Sequence, residues 1–141
     1  MIVTVLYRMA GSPDVSGLPN PFGDVPGDRY YANAVKWAAA NGVVNGYGGG
    51  RYGPEDNLTR EQLAAILNNY AQFAVLSLPL TRLYTPFLDD ADISNYAKEA
   101  IERFFRAGVI GGYPDGSFKP RGEATRAEFA AMLMRFLTAM E

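Results

Sequence analysis

Cysteine and histidine are both absent from the 141-residue chain. The first absence removes disulfides, thiol nucleophiles and thiolate metal sites. The second removes the commonest general base and the commonest metal ligand. Any catalysis would rest on carboxylates, lysine, tyrosine or serine, and neither a metal nor a cofactor is expected. Long apolar runs are missing too, and nothing approaches the roughly 20 residues a membrane span needs. Charge of one sign is not in excess. A net charge of −2 gives no electrostatic footprint for nucleic acid or an anionic membrane. Residues 1–10 lack a basic leader segment, and their polar members fall on one side of a helix. They read as a core helix rather than a signal peptide. The export signal of a secreted parent would lie outside this sequence.

What is present is a sentence written more than once. Thr125 and Glu128 have the spacing of a capping box, in which the threonine hydroxyl and the glutamate each satisfy a backbone N–H of the first turn. Phe129, Met132, Leu133 and Phe136 come next as one apolar helical stripe. Sixty-six residues upstream, Thr59 to Gln62 open a second such helix, with Leu63, Ile66, Leu67 and Tyr70 as its stripe. Ile2, Val5, Leu6 and Met9 repeat the stripe without the cap. The sequence therefore reads as a repeat protein with the tail of one repeat at 1–11 and full repeats at 22–73 and 87–138.

Within each full repeat a helix precedes the capped one. Asp28 predicts an N-cap for a helix over about 29–41, and Ser94 caps its counterpart. Gly42 and Gly108, each followed by valine, read as left-handed stops of the Schellman kind. Aromatic, glycine-rich loops come after them, and Pro114-Asp115-Gly116 predicts a tight turn bringing Tyr113 near Phe118, with a token β-bridge at most. Residues 11–21 and 74–86 read as linkers. Three chemical signals are set aside. Asp90, Asp92 and Ser94 alternate like a calcium loop, but Asn95 and Ile101 stand where that loop needs glycine and glutamate. Asp89 and Asp90 are adjacent and do not make a glycosidase pair with Glu128. The glycines at 46 and 48–50 lack the lysine of a phosphate loop.

The combined pattern is Phe87-Leu88-Asp89, a helix closing at Arg106 to Val109, Gly112 to Pro120, then Thr125-Arg126-Ala127-Glu128-Phe129. It resembles the S-layer homology repeat of bacterial cell-surface proteins. The resemblance implies an all-α, pseudo-threefold domain spanning 1–141. Its three equivalent helices, near 2–10, 59–73 and 125–138, would form a central bundle, with the other helices and loops as prongs. It implies a non-catalytic anchor at the extracellular cell wall or S-layer. The partner would be a secondary cell-wall polysaccharide, often one bearing pyruvate ketals, held in grooves between repeats. An assembly module, whose truncated repeat is completed by a second chain as a homo-oligomer, is the alternative.

The resemblance makes Arg60 and Arg126 contacts to a pyruvyl carboxylate. Their own position supports an anion, since a cation just inside a helix N-terminus opposes the macrodipole unless a ligand joins it beside free N–H groups. A structural ion pair with Asp24, Asp89 or Asp90 is the other reading, and Arg60→Ala is expected to leave the fold intact. Tyr47 and Tyr113 offer faces to sugar rings, whereas Tyr52 and Phe118 plug the loops onto the core. Trp37 aligns with Arg103, which argues against a shared core position and for a groove. The candidate ligand-binding set is thus Arg60, Arg126, Asp24, Asp89, Trp37, Tyr47 and Tyr113. Gly48 to Gly50 replace Pro-Asp-Gly in the earlier loop, which reshapes that groove.

Overall fold

A computed structural model of the chain describes residues 2–44, 50–53, 58–78 and 80–139, the side chain of Arg126 excepted. Tyr47 and the triple glycine's first two members lie outside the described residues. Among the described residues the regular structure is five α-helices, α1 (Ile2–Met9), α2 (Ala32–Ala40), α3 (Arg60–Phe73), α4 (Asn95–Arg106) and α5 (Arg126–Ala139), with a 3₁₀ turn at Asp90–Asp92. Among the described residues there is no strand. A β-bridge pairs Thr59 with Glu123, and none lies inside the Tyr113 loop. The fold is all-α. It divides into two compact units, Met1–Asp56 and Asn57–Glu141.

In the first unit α1 packs on α2. Val3, Leu6, Val35 and Trp37 are buried, and the Trp37 ring lies tilted against Tyr7, 5.7 Å between centroids. The segment 11–21 is more than a tether, because Val15 is buried and the Tyr7 hydroxyl donates to the Pro13 carbonyl at 2.6 Å. Helix α2 begins at Ala32, three residues after the predicted start. Backbone turns at Pro26–Arg29 and Arg29–Ala32 occupy the intervening residues, and Tyr31 takes the N-cap position without a side-chain cap.

In the second unit α3 packs on α4, and Phe136 of α5 meets Tyr70 at 6.5 Å and Phe104 at 5.7 Å between ring centroids. Both capping boxes form. Thr59 Oγ1 accepts from Gln62 N–H while Gln62 Oε1 accepts from Thr59 N–H. Thr125 and Glu128 exchange the same pair of bonds. Ser94 sits at the N-cap of α4 but makes no side-chain cap there. Its hydroxyl donates to the buried carboxylate of Glu61 at 2.8 Å, and its N–H points at the same group. A carboxylate from α3 thus faces the positive end of α4.

Helices α2 and α4 end as their Gly-Val pairs predict. Val43 N–H reaches Ala38 O and Val109 N–H reaches Phe104 O, with Gly42 at φ 72° and Gly108 at φ 79°. Helix α3 closes with the same bonds, yet Val75 occupies the left-handed position at φ 55°. A β-branched residue is strained there, and Val75 is 88% exposed, so its side chain contributes little packing in return. Val75→Gly is expected to stabilise the chain by about 1 kcal/mol, read as a raised urea midpoint. An unchanged or lowered midpoint contradicts this.

Candidate functional site

The two loops are built on one plan. Asp24 accepts the N–H groups of Tyr52 and Gly53 through its two oxygens, each at 2.9 Å. Asp89 accepts those of Phe118 and Lys119 at 2.9 and 2.8 Å. The Tyr52 and Gly53 N–H groups hold the Asp24 carboxyl below the usual carboxylate range. Gly23 N–H bonds Gly50 O and Leu88 N–H bonds Gly116 O, closing each loop at the same place. Phe22 meets Tyr52 at 5.3 Å, and Phe87 meets Phe118 at 5.2 Å. The expected aromatic plugs are in place. The loop-closing bond survives the replacement of Pro-Asp-Gly by glycines.

In the later loop, Tyr113 N–H donates to Ser117 O at 2.8 Å and Gly116 N–H donates to Tyr113 O at 2.9 Å. This tight turn presents the Tyr113 ring, which carries Arg60 at 4.7 Å and Lys119 Nζ at 4.6 Å from its centroid. Arg60 also lies 4.7 Å over Phe118. Its Nε donates to Phe118 O at 2.7 Å, and its Nη1 pairs with Glu128 Oε2. The same oxygen accepts the Tyr113 hydroxyl at 2.9 Å. Glu128 therefore closes the cap of α5 with one oxygen and ties Arg60 to Tyr113 with the other.

These contacts set the electrostatics. Burial alone would raise the Glu128 carboxyl, but the Thr125 N–H, the Tyr113 hydroxyl and the Arg60 charge outweigh it, and the net shift is downward. Burial, then the bond to Glu128, pushes the Tyr113 phenol up, with Arg60 opposing. A depressed carboxyl contributes stability above its unfolded value of about 4.3 and loses it as pH falls through the lower folded value. Wild-type stability is therefore expected to drop below about pH 4 more steeply than that of Glu128→Gln, measured by urea unfolding across pH 2–7. Parallel curves for the two proteins contradict this.

A cleft of about 310 Å³ opens beside this network, between the segment Val109–Tyr113 and α5. Arg60 and Tyr113 line it on one side, and Ala127, Glu128, Ala131, Met132 and Arg135 of α5 line it on the other. Glu128 is the one carboxylate among the described lining residues, and its oxygens are engaged. The lining offers a phenol face, apolar surface and guanidinium groups, which suits binding rather than acid–base chemistry.

The predicted residues separate on this geometry. Arg60, Tyr113 and Glu128 come together. Asp24 and Asp89 each hold their own loop, and the carboxylate on Arg60 is Glu128. The expectation of free N–H groups beside Arg60 is corrected. Its own N–H donates to Gly122 O, that of Glu61 to Pro120 O, and that of Gln62 to Thr59 Oγ1. Trp37 is 2% exposed, so its ring is in the core and faces no groove. The inference from Arg103 fails because that position is not equivalent in environment: Arg103 Nη1 donates to Asn68 Oδ1 at 2.7 Å. Tyr47 and the Arg126 side chain lie outside the described residues. Arg135 and the Asp–loop clamps are not visible as site features in the sequence. The recurrence of Phe-x-Asp at 22–24 and 87–89 is the available signal for the clamps.

Known proteins show the same pattern. The family model described as the S-layer homology domain matches residues 21–64 and 86–130. Cell surface glycoprotein 1 of Acetivibrio thermocellus is 32% identical over 140 residues, covering 94% of this chain and 6% of that protein. The cellulosome-anchoring protein of the same organism is 38% identical over 94 residues, 67% of this chain and 21% of its own length. S-layer protein EA1 of Bacillus anthracis is 28% identical over 127 residues, 85% of this chain and 14% of its length. The chain thus spans no more than 21% of the length of these relatives. With the family model covering most of both full repeats, and the loops and capped helices built on one plan, the chain belongs to the S-layer homology domain family.

Proposed function

We propose that the chain is a non-catalytic anchoring module of a bacterial cell surface, binding an acidic secondary polysaccharide of the cell wall. The observation that carries this reading is the cleft beside Tyr113. It joins an aromatic face to guanidinium groups, and its one described carboxylate is already neutralised by Arg60. A net positive, partly apolar cleft complements a sugar bearing a carboxylate. Relatives named for cellulosome anchoring and for S-layers support the same role. Arg126, the first residue of α5, stays a proposed contact on the grounds of its motif, and a pyruvyl ketal is the acid we propose. Among the described residues no helix is long and apolar enough to cross a membrane.

The test is co-sedimentation with purified cell-wall sacculi, native and depyruvylated. Native sacculi are expected to pellet the chain, depyruvylated ones to pellet it at least tenfold less well, and Arg126→Ala to weaken binding by about tenfold. Equal pelleting by both preparations would remove the pyruvyl group from the account. No pelleting by either would remove the anchoring role.

A further inference from the structure

Arg60 stands in the cleft wall, but its charge and two of its N–H donors are already engaged. Its Nε is committed to Phe118 O, its Nη1 to Glu128, and its plane to two aromatic rings. It is 6% exposed. Its charge is balanced within the protein, so it has little left to offer a ligand. Arg135 differs in each respect. It is exposed, it lines the same cleft from α5, and it has no hydrogen-bond or ion-pair partner among the described residues. It stands seven residues after Glu128 on α5, two turns along the same face. With Arg60 and Glu128 cancelling, Arg135 supplies the net positive charge among the cleft's described lining residues.

We propose that Arg135 is the specificity-determining residue of this cleft: it meets the carboxylate of an acidic sugar whose apolar face rests on Tyr113 and Met132. The inference rests on the anchoring reading above and names the residue that would select charge. The two full repeats differ at this position. Counting from the caps Thr59 and Thr125, the residue of α3 that matches Arg135 is Asn69. The cation is therefore a property of the later repeat's cleft and is not repeated with the motif. An exposed guanidinium held on a helix can make a two-pronged bond to a carboxylate, which a lysine cannot reproduce.

The experiment measures sedimentation of the whole chain and of Arg135→Ala, Arg135→Glu and Arg135→Lys with two preparations of sacculi. One is native, and the other has its carboxyl groups amidated. Circular dichroism checks each fold, and Arg135 is exposed, so all four are expected to fold alike. On native sacculi, Arg135→Ala is expected to bind about tenfold more weakly, Arg135→Glu more weakly still, and Arg135→Lys in between. On amidated sacculi the unchanged protein is expected to fall to the level of Arg135→Ala. If the unchanged protein binds native sacculi and Arg135→Glu binds equally well, Arg135 has no such role although the anchoring reading stands. If Arg135→Glu loses binding but amidation changes nothing, the carboxylate assignment is overturned. If the unchanged protein binds neither preparation, the anchoring reading falls and this inference with it.

Discussion

Glu128→Ala is expected to destabilise the chain by about 3 kcal/mol, the low end of the cost when a buried ion pair loses one partner. The cost lies less in the lost bond than in the groups left behind. The Arg60 side chain is 7% exposed against 26% for that of Glu128, so removing the carboxylate strands a cation with little water. The Tyr113 hydroxyl loses its acceptor, and the cap of α5 opens at Thr125 N–H. Arg60→Ala also removes the anchor of the Phe118 carbonyl. It is therefore expected to lower stability, which replaces the sequence-based expectation that the fold would be untouched. Changing both residues, Arg60→Met with Glu128→Ala, should cost less than the sum of the single changes, because no stranded charge remains. Urea unfolding at pH 7 measures all of these. A loss below about 1 kcal/mol for Glu128→Ala would show that the pair is no more than a surface contact.

Gly112→Ala is expected to cost about 1–3 kcal/mol and to weaken sacculus binding with it. A Cβ at Gly112 would stand 2.6 Å from the Phe87 ring and 2.8 Å from Ser117 O. Neither neighbour can yield freely. Phe87 is 8% exposed and wedged among Phe105, Phe118 and Tyr84, and Ser117 O accepts the N–H that sets the Tyr113 turn. The strain would therefore pass directly to the cleft wall. Gly111 is the internal control, since a Cβ there meets nothing within 4 Å, and Gly111→Ala should stay within about 0.5 kcal/mol of the parent. Equal stability for the two alanine variants would contradict the close packing described here.

The helices are readable because their determinants are local. Stripe, capping box and Gly-Val stop each fit within one or two turns of chain, and the structure sets α1, α3 and α5 within about a residue of the expected bounds. Helix α2 starts late because a β-turn at Pro26–Arg29 competes for the residues that Asp28 would have capped, and both signals are equally local. The site is legible only in part. The capping box uses one oxygen of Glu128, and nothing in the local pattern hints that the other meets an arginine 68 residues away. Arg60 can be seen to sit oddly at a helix start, but not that carbonyls of Pro120 and Gly122 fill the N–H positions beside it. Trp37 misleads because alignment between repeats assumes like surroundings, and the two helices that carry Trp37 and Arg103 have different neighbours. Arg135 looks like an ordinary charge on a solvent face. Only the cleft gives it a neighbour worth having.

The central claim is that the cleft between Val109–Tyr113 and α5 receives an acidic wall polysaccharide. The most direct test is a titration of the ¹⁵N-labelled chain with purified, pyruvylated secondary wall polysaccharide, tracked by amide chemical shifts. The account predicts saturable shifts concentrated at Gly111, Gly112, Tyr113 and the stretch Ala127–Arg135, absent when the polysaccharide has been depyruvylated. Shifts that leave these residues unmoved while others respond, or no response at all, would contradict it.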